Sequence, residues 1–171
     1  RSLSACLTLA EQWAGVSQEP VAVLYMEEAV LSFLRSCEVL TSDWKQMLEH
    51  AANAPEPENL LAYTPALDQE IRLFTMDMLY RYYLRAAYAE TPEAEILPLQ
   101  MAAFAVCVVL LYSRRLGFHT AEQRLRIWQL FVKEIEYDGD NLEELEWQLE
   151  TNAAFSPAAF RAYFASLGGV Q

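Results

Sequence analysis

The sequence predicts an all-α protein, a single compact bundle of about eight helices around a central apolar helical hairpin. The five glycines of the 171-residue chain, Gly15, Gly117, Gly139, Gly168 and Gly169, all stand where a helix can end. Three hydroxyl-proline pairs, Thr64-Pro65, Thr91-Pro92 and Ser156-Pro157, place a capping side chain before a residue whose missing N–H costs nothing in the first helical turn. Hydrophobic residues make up 54% of the chain, enough to fill the core of one domain.

The front of the chain, 1–54, carries three expected helices, at 3 to 14, 20 to 39 and 43 to 53, with Gly15 as the stop of the first. Asn53 to Asn59, with Pro55 and Pro57 set between acids, reads as a linker to a back portion, 60–171, of five helices. The first of these, 65 to 89, is apolar over most of its circumference through Ile71, Met78, Leu79, Tyr80, Tyr82, Tyr83 and Leu84, and is expected to be central. Its narrow polar arc holds Glu70, Asp77, Arg81 and Arg85, with Asp77 placed four residues before Arg81 for a helical ion pair.

The next helix, 97 to 116, contains twelve consecutive apolar residues from Met101 to Tyr112. The run is too short for a bilayer, which needs about 20, and suits a buried core helix instead. Arg114 and Arg115 complement its C-terminus, and Gly117 ends it. Thr120 and Gln123 form a capping box for a helix at 121 to 137, whose stripe is Leu125, Trp128, Phe131, Val132 and Ile135. That stripe leaves Arg124, Arg126, Lys133, Glu134 and Glu136 largely outside. Asp138-Gly139 signals a turn, Asp140 with Glu143 caps a helix at 141 to 151, and Ser156-Pro157 opens the last at 157 to 167, ahead of a stop at Gly168.

Several chemistries are excluded by what the sequence does not encode. No glycine-rich turn is placed to cradle a phosphate or a nucleotide cofactor. Cys6, Cys37 and Cys107 are too far apart for a zinc or iron-sulfur site and read as buried free thiols of a reducing, cytoplasmic compartment. His50 and His119 are isolated, and Asp138-Gly139-Asp140-Asn141 has its glycine second, where a calcium loop needs it sixth. No metal or cofactor is therefore expected in this chain. A net charge of -12 repels nucleic acid and anionic membranes, leaving a protein substrate or partner protein. The chain opens on Arg without a secretory leader, and is read as a piece of a longer protein.

The back half carries a resemblance. Leu79-Tyr80-Arg81-Tyr82-Tyr83-Leu84-Arg85-Ala86-Ala87-Tyr88, the apolar helix Leu99 to Tyr112, Thr120-Ala121-Glu122-Gln123-Arg124-Leu125-Arg126-Ile127, Lys133-Glu134-Ile135-Glu136-Tyr137 and Asn141-Leu142-Glu143 resemble the C-terminal region of flagellin lysine-N-methylase-like proteins, over residues 70 to 150. The resemblance implies a helical C-terminal domain of a bacterial protein lysine N-methyltransferase. The resemblance places an iron-sulfur cluster in a cysteine-rich N-terminal portion and S-adenosylmethionine in a longer parent protein, and no catalytic residue carries over to this chain. Such a domain would support substrate binding rather than chemistry. A lysine-bearing substrate would meet the acids Glu134, Glu136, Asp138 and Asp140, and Arg81 and Arg85 could hold an anionic or planar group. The competing reading is a non-enzymatic helical interaction or scaffold module.

Overall fold

The computed structural model describes residues 3–14, 23–55, 61, 64–88 and 91–167, and within these helices some end side chains, Arg85 among them, lie outside the description. Among the described residues there are eight α-helices and no strand, as the sequence predicts. They are α1 (Leu3–Ala14), α2 (Val23–Ser36), α3 (Ser42–Asn53), α4 (Pro65–Ala87), α5 (Pro92–Leu116), α6 (Ala121–Phe131), α7 (Gly139–Thr151) and α8 (Pro157–Ser166). Gly15, Gly168, Gly169 and most of the expected linker lie outside the described residues.

Local capping fixes most of the starts. Leu67 N donates to Thr64 Oγ1 at 3.1 Å and Ala159 N to Ser156 Oγ at 3.2 Å, and Thr120 with Gln123 makes the full reciprocal capping box. Gly117 adopts a φ of 66°, and Phe118 N reaches back to Ser113 O at 2.9 Å, the left-handed stop that ends α5. The start of α7 differs from expectation. Asp138 is its N-cap, accepting from Asn141 N at 2.9 Å, so the helix begins at Gly139, two residues before the start at 141 predicted from sequence.

α5 is the axis of the bundle. It packs along α4 and also meets α1, α3, α6, α7 and α8. It begins at Pro92 rather than 97, because Pro98 lies in its second turn and removes only one backbone bond. The stretch Glu95–Leu116 is thus long and apolar enough to cross a bilayer, with a mean hydropathy of 2.1, which corrects the expectation of too short a run. Yet 89% of its most apolar window is buried inside the bundle, so it is the core helix. Phe104, wholly buried on α5, meets Phe33 of α2 and Phe155 edge-on at 5.4 and 5.2 Å. Phe155 sits in a short 3-10 turn, Ala153–Phe155, that the sequence reading omits.

α6 closes on a π-helical turn, Val132–Glu136, where Tyr137 N donates to Val132 O, five residues back, rather than continuing as α-helix to 137. The face it buries keeps Trp128, Phe131, Val132 and Ile135 of the predicted stripe and departs from it at Leu125. Ile127 and Leu130 are buried, whereas Leu125 is 46% exposed, and Arg124 and Glu134, expected outside, lie inside. Polar partners from other elements make that placement tenable.

Candidate functional site

The expected acidic surface resolves into groups with separate structural duties. Glu134 is fully buried. Its carboxylate accepts from Leu40 N at 2.6 Å and from the Thr41 hydroxyl, while Thr41 Oγ1 also accepts from Trp44 N to cap α3. Asn141, buried beside it, accepts from Glu38 N at 2.8 Å and donates to the carbonyls of Glu38 and Glu134 at 2.8 Å each. These bonds hold residues 38 to 41 extended, which is why α2 ends at Ser36 and not at 39. Glu134 therefore fastens a chain connection and does not face a substrate.

Glu136 is corrected in the same way. Its side chain is 8% exposed and its Oε2 lies 3.2 Å from Arg81 Nη1, while Arg81 Nε bonds Asp77 at 3.0 Å, forming the helical pair the sequence predicts. Burial raises the Glu136 carboxyl above the usual carboxylate range against the opposing pull of Arg81. On Arg81, burial works against the charge, but Glu136 and Asp77 outweigh it and hold the guanidinium above its ordinary value. Asp138 is spent as the α7 cap, Asp140 is exposed, and the Arg85 side chain lies outside the described residues. The five candidates whose side chains are described thus do not converge on one pocket, although Arg81 and Glu136 meet.

Two other polar assemblies escaped the sequence reading because their members lie far apart along the chain. On α2, Glu27 is fully buried and accepts from Arg114 Nη2 at 3.0 Å, Arg115 Nη2 at 3.3 Å and the Tyr163 hydroxyl at 3.2 Å. Here the two arginines that the sequence assigns to the end of α5 clamp α2 and α8 against it. Arg124 grips Glu70 of α4 through two bonds, 2.6 and 2.9 Å, so one acid of the α4 polar arc is internal. Cys37 and Cys107 are buried and Cys6 is half-buried. Burial, with Glu144 and Asp138 nearby, pushes the Cys37 thiol up to about 12.

A groove of about 410 Å³ runs between α2 and the end of α7, with Tyr25, Glu28, Ser32, Gln148 and Asn152 among its walls. Its amides are already engaged. Gln148 donates to Glu144 at 3.0 Å, and Asn152 donates to Gln148 at 3.0 Å. Among the described residues no group of three or more His, Cys, Asp or Glu is arranged to hold a metal ion.

The feature that no structural duty absorbs is on α4. Leu73 (61% exposed), Met76 (64%), Tyr80 (78%), Tyr83 (54%) and Leu84 (52%) lie on one side of that helix, within an arc of about 100° at helical spacing. The opposite side, through Ile71, Phe74, Met78 and Tyr82, is buried, and Phe74 stacks on Trp128 of α6 at 4.5 Å. This corrects the expectation that the breadth of its apolar surface makes the helix central. α4 is half of the central hairpin, but it forms a wall of the bundle with two apolar faces, and only the inner one is covered.

No family model matches the chain, and neither a curated protein nor a solved structure matches it.

Proposed function

We propose that this domain is a non-enzymatic protein-interaction module that docks a partner on the outer face of α4. The exposed stripe from Leu73 to Leu84 carries the reading. An aligned row of two leucines, a methionine and two tyrosines leaves on the order of 600 Å² open, at the top of the range seen for the largest patch on a monomer, and such patches mark interaction sites. Tyrosine and methionine are also residue types enriched in interface cores. Single exposed apolar residues are ordinary, but five on one helical face are not.

A lysine-N-methylase-like role, with this domain holding a lysine-bearing substrate for chemistry elsewhere in a longer protein, would draw on Glu134, Glu136, Asp138 and Asp140. Glu134, Glu136 and Asp138 have partners within the fold and Asp140 is left exposed, which supports the interaction reading over that one. The test is a photo-reactive phenylalanine analogue placed at Tyr80 in cells expressing the chain, with the same analogue at Tyr137 as the control. Tyr137 is 77% exposed but lies off the stripe. A discrete protein adduct from position 80 and none from position 137 is the expected result, and no adduct from position 80 would end the reading.

A further inference from the structure

Resting on that reading, we propose that the occupant of the α4 face is a second copy of this chain, packed with α4 antiparallel to α4 about a two-fold axis level with Met78. The spacing of the stripe is its first support. Leu73, Met76, Tyr80 and Tyr83 are separated by three, four and three residues, a pattern that reads the same in both directions. An isologous two-fold interface requires each residue to meet its counterpart reciprocally. Turning one α4 end over end about the level of Met78 brings Leu73 onto Tyr83 of the partner subunit and Met76 onto Tyr80 of the partner subunit, apolar on apolar at these four positions, while Leu84 falls beside the aliphatic stem of Arg72 of the partner subunit.

Charge supplies the second support. The chain carries 24 acids and 12 basic residues, so two copies repel across most of their surfaces. α4 is the exception: Glu70 is taken up by Arg124 of the same copy, and Asp68 and Asp77 share the helix with Arg72, Arg81 and Arg85. A two-fold axis normal to the plane of the paired helices sets like flank beside like flank. The flank that holds Asp77 and Arg81 then runs along the same flank of the other copy, two residues out of step. Asp77 comes within reach of Arg81 of the partner subunit, and the reciprocal pair forms as well. The area fits too. About 600 Å² from each copy approaches the roughly 800 Å² per partner of a standard interface.

The salt dependence distinguishes this occupant from others. Arg72 with Asp68 and Arg81 with Asp77 are already paired within each copy, so association exchanges those contacts, and the term left over is the repulsion between two acidic bodies, which salt screens. Dimerisation should strengthen as salt rises, on the order of tenfold between about 0.05 and 0.5 M, whereas docking of a basic partner should weaken.

Sedimentation equilibrium of the full chain across protein and salt concentrations tests the proposal. The expected result is a monomer-dimer equilibrium that tightens with salt. Tyr80→Glu and, separately, Met76→Lys should abolish it while leaving the circular dichroism melting curve near wild type, since both side chains are exposed. Mixing Met76→Cys protein with Tyr80→Cys protein should give a cross-linked heterodimer faster than a Met76→Cys/Tyr137→Cys mixture, because Tyr137 is as exposed as Tyr80 but lies off the stripe. A wild-type monomer at every salt concentration, or a dimer indifferent to Tyr80→Glu, overturns the second-copy proposal. If the position-80 photo-adduct then has the mass of a different protein, the interaction reading stands without it; if no adduct forms, both fall.

Discussion

Glu134 and Leu40, 94 residues apart in the chain, are joined by a hydrogen bond of 2.6 Å from the Leu40 N–H to a fully buried carboxylate. A buried charge is tolerable only when hydrogen-bonded, and here the Thr41 hydroxyl and the Leu40 N–H supply the bonds. The π-helical turn that carries Glu134 is therefore part of the joint that sets α2 and α3 against α6.

Glu134→Ala should destabilise the protein by about 2 to 4 kcal/mol, since it strands a backbone donor and a hydroxyl in the interior. Glu134→Gln keeps the shape and one acceptor, and should cost about half as much. Urea denaturation measures both. Equal, near-zero effects would mean the α2–α3 connection is held some other way.

Phe104→Ala should cost about 3 to 5 kcal/mol, because the ring is wholly buried and its edge-on contacts with Phe33 and Phe155 tie three elements together. Leu125→Ala, on the exposed side of α6, should change the same unfolding curve by less than about 1 kcal/mol. The contrast checks directly that Leu125 departs from the predicted stripe.

Glu136 should make the fold less stable as pH rises. Its carboxyl titrates above the unfolded value, so the native state holds the proton more tightly, and the stabilisation is fully present below the unfolded value near 4.5 and lost as pH climbs through the raised one. Removing the titration with Glu136→Gln should flatten that part of the stability-pH profile. A wild-type curve parallel to the variant's across the window would show that the group is not perturbed.

Cysteine reactivity should rank by burial. At pH 8, iodoacetamide should modify Cys6 well before Cys37 or Cys107 in the native protein, since the Cys37 thiol is pushed up to about 12 and Cys107 is fully buried. In urea all three should react alike. Mass spectrometry of partly labelled peptides gives the order, and early loss of Cys37 would contradict its placement.

What could be read from the sequence divides by distance along the chain. Thr120 with Gln123 and Ser156 with Ala159 are partners three residues apart, so their caps are fixed by local chemistry and visible in the letters. Apolar content likewise gave α5 its place at the core. Glu27 with Arg114 spans 87 residues and Arg124 with Glu70 spans 54, and nothing local announces that such charges turn inward. That is why Arg124, Glu134 and Glu136 read as surface. α4 misled for a different reason: residues that suit a protein interface are the same types that suit a core, so a helix with one covered face and one open face reads as central.

Hydroxyl-radical footprinting tests the central claim, that the α4 stripe is an interface, most directly, because it reads every exposed side chain at once. Comparing protein in living cells with dilute purified protein, oxidation at Met76, Tyr80 and Tyr83 should fall several-fold in the cell, while Tyr137 and Trp147, 77% and 56% exposed off the stripe, should keep their relative rates. Equal protection ratios at Tyr80 and Tyr137 would contradict the account.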